Sequence, residues 1–422
     1  VRAGTRSETA AGPLPLPRAP AAAVPRRLAV ACETGLDIAA LVFFALLVLA
    51  PRGIAPLAAA AGLFGAGLVL LQDRRSVLRH ARSAPAAIFA MLVVWGAISA
   101  AWSPDPLRSL DQAARLAGLF VAALAMMAAA GHVSAPRRLA SFLFAGFVVA
   151  LVMAVVDLAT SGALSKLFSD RVYQPAWLNQ ASVAFAILLL PTGAAVIAAG
   201  HRLPGVLLLV FGAATICILA GTAAKTALAA GLPVAFLCWW RRPAVAWAAA
   251  VLSVLVVVTA PLTFARLDRV SGVVHTADEV KLSGGHRLLI WSFVGDRIAE
   301  HPLRGWGLDS SRAIPGGRDS IRPDETWLPL HPHNAPLQLW LELGVPGPVL
   351  LSLLSAWLWL AFGSADWPRF YAAAAGGSLA TAFVASVATY GIWQEWWDGT
   401  LSFSLFMALV MARVAIAAAP PR

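Results

Sequence analysis

The sequence predicts an all-α integral membrane protein of about twelve transmembrane helices, with one large outward-facing loop late in the chain. Three observations carry that expectation. Of 422 residues, 59% are hydrophobic and only 13% charged, too few charges to clothe a soluble protein of this size. Apolar runs recur from end to end at about 20 residues, the length a helix needs to cross a bilayer. The period-two alternation of a β-barrel is missing, whereas helices satisfy their own backbone hydrogen bonds in lipid.

The predicted spans are 31–50, 53–72, 84–102, 113–131, 139–159, 178–199, 204–221, 225–240, 243–261, 337–361, 371–391 and 399–418. The first is the least regular, because it contains Glu33 and Asp37. Residues 1–30, rich in Ala, Pro and Arg, read as a flexible tail, and 419–422 as a second short tail. Residues 262–336 form the large loop between the ninth and tenth spans. Basic residues in short connections orient the bundle. Arg74, Arg75, Arg79, Arg82, Arg137, Arg138, Arg202, Arg241, Arg242 and Arg369 fall on one side, together with the arginines of the first tail. Opposite connections mix signs: Asp105, Arg108 and Asp111 in one, Lys166, Asp170 and Arg171 in another, Glu395 and Asp398 in the last. Both termini are therefore expected in the cytoplasm and the large loop outside.

Net charge is +11 and the isoelectric point about 10.8. In a soluble domain that would suggest nucleic acid. Here the surplus sits in short turns, so a phospholipid bilayer is the expected partner and nucleic acid is not. Cys32, Cys217 and Cys238 lie in or beside apolar segments and read as small hydrophobes, with no disulfide, zinc or redox pattern.

Within the large loop, the stretch from Gly284 to Pro302 reads as an amphipathic helix. Leu288, Trp291 and Val294 or Ile298 make its apolar stripe, with Arg287, Asp296 and Arg297 on wetter sides. Such a helix either lies along the membrane surface or caps the bundle. Beyond it, His331, His333 and Asn334 stand directly before the tenth span, where Pro332 and Pro336 restrict the backbone between loop and helix. A histidine there can exchange a proton near neutral pH, and Asn334 can orient it or bind a sugar hydroxyl. Ordinary interfacial polar residues are the plainer reading. His331 and His333 with Asp324 or Glu325 make a weak zinc set, unsupported by HExxH or cysteine spacing, so no metal is expected.

Four further residues stand out. Lys225, in the string ILAGTAAKTALAAGL, is either a snorkelling lysine or a cation that holds phosphate. Arg304 and Arg312 flank the small-residue turn GWGLDSS. Glu342 lies about two turns beyond His333, as a secondary structural or binding candidate. Trp306, Trp327 and Trp393 are the aromatic residues available for stacking on sugars.

The pieces HRLLIW at His286, HPLRGWGLDSS at His301 and HPHNAPLQLWLELGVPG at His331, in that order within a late outer loop, resemble the bacterial O-antigen ligase and polymerase superfamily. The topology resembles that family over most of the chain, and the motifs are sharpest between Gly285 and Gly347. The resemblance implies a GT-C-like glycosyltransferase of the bacterial inner membrane. It would transfer a glycan from undecaprenyl diphosphate on the periplasmic face, with no cofactor. It implies that Arg287 approaches the donor pyrophosphate and that His333, before Asn334, is the essential loop histidine; His331 takes that place if the register differs. Lys225 falls where many members carry an arginine, a departure that keeps the charge and loses the guanidinium fork.

In such a transfer an acceptor hydroxyl attacks the anomeric carbon and a lipid diphosphate leaves. Lys225, Arg287 and Arg304 are the cations expected to stabilise the leaving charge, with His333 assisting the hydroxyl. A single displacement inverts the sugar carbon. The mechanism requires Arg287 and His333 to meet. The ligase reading takes lipid A-core as acceptor; the polymerase reading takes another lipid-linked glycan. A protein acceptor and a polysaccharide transporter are the remaining alternatives, and no inverted repeat of the transporter kind stands out.

Overall fold

The computed structural model describes residues 26–168, 172–219, 221–280 and 282–420. Most of the first predicted tail (1–25), Asp170 and Arg171 of one loop, and the last two residues lie outside the described residues. Long runs of Ala, Leu and Val, punctuated by proline at helix starts, build α1 (Arg26–Leu49), α2 (Ile54–Gln72), α3 (Arg74–Ala81), α4 (Ala84–Ser99), α5 (Pro106–Ala130), α6 (Pro136–Ala159), α7 (Asn179–Ala198), α8 (Arg202–Ile218) and α9 (Thr222–Thr263). Proline suits these first turns because its missing N–H has no intrahelical partner there. The late loop carries α10 (Val273–Val280), α11 (Leu282–Glu300) and the strand pair β1 (Ser320–Arg322) and β2 (Glu325–Thr326). Then come α12 (Ala335–Leu343), α13 (Pro346–Ser364), α14 (Arg369–Ala388) and α15 (Glu395–Ala418).

Among the described residues, ten helices are long and apolar enough to cross a membrane. The chain is an all-α integral membrane protein. Helix α8, with 17 residues, is shorter than those ten. Helix α9 runs for 42 residues but breaks at Arg241 (φ −140°, ψ 46°), just before Pro243, so its two arms correspond to the predicted eighth and ninth spans. The predicted tenth span, 337–361, is not continuous. Gly344 adopts φ +62° and separates the nine-residue α12, too short to span, from α13.

Small residues let the helices approach closely, as expected where lipid removes the hydrophobic drive between them. A Cβ on Gly146 would lie 2.1 Å from the Leu41 carbonyl oxygen, where α6 crosses α1. One on Gly62 of α2 would lie 2.6 Å from Ala122 of α5. Between these contacts sits an aromatic core: Phe44 stacks on Phe147 at 4.2 Å and Phe43 on Phe403 at 4.5 Å. The irregular first span is explained by Arg138, which reaches Glu33 at 3.1 Å and Asp37 at 2.9 Å from the start of α6. The outer faces stay apolar and exposed, as at Leu63, Phe211 and Leu252, which suits contact with lipid tails.

Helix α11 packs its apolar stripe against the bundle. Ile290, Val294 and Ile298, spaced four apart, are buried with Phe293 against Leu337 and Leu341 of α12 and Ala260 of α9. Arg287 therefore does not sit on the wet side expected for it. The first arm of α9 runs antiparallel to α14: Gly231 meets Gly377 and Thr381, and Trp239 meets Arg369.

Replacing Gly146 by Val is expected to destabilise the fold by about 2 kcal/mol through overpacking. A lower melting temperature of the purified protein in detergent checks it. An unchanged melt would contradict the α1–α6 contact.

Candidate functional site

The site is organised around the end of α14. A helix leaves its last carbonyls without intrahelical partners, and buried ones must find donors elsewhere. Here Arg287 Nη1 donates to the Ala388 carbonyl at 2.7 Å. His333 Nδ1 lies 2.9 Å from the next carbonyl, that of Thr389. Two residues 46 positions apart in sequence are thus brought to consecutive peptide units.

The hydrogen bonds fix the state of both histidines. A carbonyl only accepts, so His333 Nδ1 carries the proton, and in the neutral ring Nε2 keeps a lone pair. Burial, followed by the Arg287 charge, pushes the His333 pKa down to about 4, so the ring is neutral at physiological pH. His331 packs beside it with the rings tilted by 56° and their centroids 4.2 Å apart, and its Nδ1 accepts the His333 backbone N–H at 3.2 Å. The proton of His331 therefore sits on Nε2, 3.1 Å from the Gln394 amide nitrogen; the two donors are reconciled when the carboxamide is turned so that its otherwise unpartnered oxygen faces the ring. Burial first, then the neighbouring His333, Arg312 and Arg287, push the His331 pKa down to about 2. His333 itself holds φ +57°, a left-handed conformation that aims the ring back at the α14 terminus.

The other candidates fall in different places. Lys225 opens α9, half-buried, and the antiparallel register of α9 on α14 sets it level with the last turn of α14. It makes no ion pair among the described residues. Arg304 is exposed, 5.9 Å above the Trp102 ring, and is not brought to the histidines. Arg312 is exposed on the wall of a cavity that also includes His331. Asn334 is the N-cap of α12: its Oδ1 accepts the Leu337 N–H at 2.9 Å, while its buried Nδ2 has no partner among the described residues. Glu325 pairs with His286 at 3.7 Å, away from the histidine pair, and no group of three or more His, Cys, Asp or Glu among the described residues is placed to hold a metal.

Glu342 is a fully buried tie. Its carboxylate accepts the Asp309 N–H at 2.6 Å, Gln338 Nε2 at 3.0 Å, Trp393 Nε1 at 2.5 Å and the Ser311 hydroxyl. It joins α12 to two separate loops. Burial, and then the Asp309 charge, push its pKa up to about 7. Trp393 is buried by that contact, Trp306, half-buried, donates to the Arg297 carbonyl, and Trp327, half-buried, stacks on Phe293, so each of the three ties a loop in place.

The fold also brings to this end several residues that carry no motif in the sequence. Arg108 pairs with Asp309 at 2.6 Å, and Arg115 with Glu395 at 2.6 Å and Asp111 at 2.8 Å. Mixed-sign loop charges carried the only signal. Tyr390, whose hydroxyl is buried without a partner among the described residues, lies in the field of Arg287, and burial raises its pKa. Nothing in the sequence around it marked it out.

With this geometry in place, residues 206–352 match the family model described as O-antigen ligase. A protein of Rickettsia conorii named "Putative polysaccharide ligase" is 40% identical over 120 residues, 27% of this chain and 29% of that protein. One of Rickettsia bellii with the same name is 37% identical over 135 residues, 31% of this chain and 32% of that protein. The matched stretches span about a third or less of these relatives' length. Over these stretches the chain is similar to the O-antigen ligase family and to proteins named polysaccharide ligases.

Replacing Glu342 by Ala leaves several buried donors unpaired, each costing about 1–3 kcal/mol. A drop in melting temperature is expected for Glu342→Ala, with Glu342→Gln intermediate. Equal melts for wild type and Glu342→Ala would show that the tie contributes nothing.

Proposed function

We propose that this chain is a glycosyltransferase that moves a glycan from undecaprenyl diphosphate to lipid A-core on the periplasmic face of the bacterial inner membrane. The observation that carries the reading is the meeting of Arg287 and His333 on the consecutive carbonyls of Ala388 and Thr389. The match of residues 206–352 to the O-antigen ligase family model supports it. So do the arginine-rich connections at the end opposite the loop, which orient that end towards the cytoplasm and the site outwards.

The chemistry follows from the two side chains. The acceptor hydroxyl hydrogen-bonds to the lone pair on His333 Nε2 and attacks the anomeric carbon. Its proton passes to Nε2. The bond from that carbon to the diphosphate oxygen breaks, and the electron pair leaves with the carrier. The Arg287 guanidinium stays charged and meets the diphosphate, a fork suited to two phosphate oxygens. Lys225, level with the same helix end, adds a point charge to the leaving group. One displacement inverts the sugar carbon, and no metal takes part.

Arg287→Ala and His333→Ala are each expected to lower transfer by about 100-fold or more in a membrane assay with carrier-linked glycan. In the source bacterium the expected deletion phenotype is core-only lipopolysaccharide with long glycan accumulating on the carrier. Core capped by a single repeat would mean the polymerase reading instead, and an unchanged profile would sink both. Because His333 acts neutral and its pKa is held down to about 4, kcat/KM should fall only as pH drops through about 4, and not through the ordinary histidine value. An acid limb near 6.5 would contradict the assignment.

A further inference from the structure

A cavity of about 300 Å³ opens beside His331, on the side of that ring away from any role given to it so far. One wall is the first turns of α5, where Arg108, Asp111 and Arg115 recur at helical spacing. The facing walls are the Asp309–Arg312 turn and the 391–395 segment. Its volume is at the lower end of small-molecule sites, roughly 300–1,000 Å³, which suits a sugar residue or two and not a long chain.

The lining charges balance: three arginines (Arg108, Arg115, Arg312) face three carboxylates (Asp111, Asp309, Glu395). Arg108 is neutralised by Asp309 at 2.6 Å, and Arg115 by Asp111 and Glu395. His331 on the same wall is neutral. Such a surface offers alternating donors and acceptors with no net charge. A lipid diphosphate, which carries several negative charges, gains little from it, whereas vicinal hydroxyls can bridge each guanidinium–carboxylate pair.

We propose that this cavity is the acceptor subsite and that it takes a neutral, hydroxyl-rich sugar residue next to the His331–His333 pair. The proposal rests on the transfer reading above. It gives the two substrates separate subsites: the anionic leaving group at Arg287 and the end of α14, the neutral acceptor sugar in the cavity that His331 lines, from which its hydroxyl reaches the neighbouring His333. Arg312 and Leu330 are both exposed on the cavity wall, so they can be changed without emptying the core.

The test uses the full chain in detergent. Saturation-transfer NMR with methyl glucoside, methyl galactoside and methyl N-acetylglucosaminide, with methyl glucuronide as the anionic control, reads binding without transfer. Neutral glycosides are expected to bind, with little salt dependence. Arg312→Leu should weaken them about tenfold through loss of one or two hydrogen bonds. Leu330→Trp, which fills the cavity, should abolish the signal. In the transfer assay the same variants should raise the acceptor KM about tenfold and leave the donor KM unchanged. Tighter binding of the glucuronide, a raised donor KM, or wild-type behaviour of both variants would overturn the proposal. Arg287→Ala should stop transfer while sugar binding persists. Sugar binding by a wild-type chain that transfers no glycan would instead overturn the transfer reading and leave the subsite standing.

Discussion

The site depends on two carbonyl groups. Helix α14 ends at Ala388, which is half-buried, and the following residue, Thr389, is buried. Those acceptors need donors, and the chain supplies them from afar: a guanidinium from α11 and an imidazole from the segment before α12. Structural necessity and chemical arrangement coincide here. Satisfying the carbonyls fixes the Arg287 fork, selects the His333 tautomer and leaves Nε2 with its lone pair. A different donor at Thr389 would satisfy the backbone equally well and leave no imidazole lone pair there.

The same economy explains why the histidines are neutral beside so many arginines. Burial removes the hydration that a second charge needs, and the Arg287 field adds to the cost. Glu342 contributes by connection. Its four donors pull the Asp309–Ser311 turn, α12 and Trp393 into one unit, which is what holds His331 against Gln394. The break at Gly344 is part of this unit. A Cβ there would lie 2.4 Å from the Leu303 carbonyl, so only glycine lets the loop that begins at Pro302 close over the end of α12.

The membrane architecture was legible because bilayer thickness imposes a length and an apolarity that composition displays directly. The kink at Arg241 was legible through its neighbour Pro243, which divides the long apolar run. The break after α12 was missed, since an apolar run continues through Leu343, Val345 and Val349 and only the left-handed Gly344 interrupts it. At the site, Arg287 and His333 were singled out by motif, but their shared anchor was not, because Ala388 and Thr389 contribute only backbone. Backbone acceptors have no sequence signature. Arg304 was over-read for a related reason: a cation near a glycine turn looks the same in sequence whether it points to a site or, as here, lies over Trp102 at the surface. Arg108 and Arg115 were under-read because ion pairs across 200 residues or more of chain are invisible without the fold.

The most direct test of the central claim is a structure of the full chain in a lipid nanodisc, with undecaprenyl-diphosphate-linked glycan bound and His333 replaced by Gln to stall transfer. The account predicts the diphosphate in contact with the Arg287 guanidinium at the end of α14, and the anomeric carbon facing residue 333. A diphosphate held elsewhere, away from Arg287 and with the glycan turned from residue 333, would contradict it.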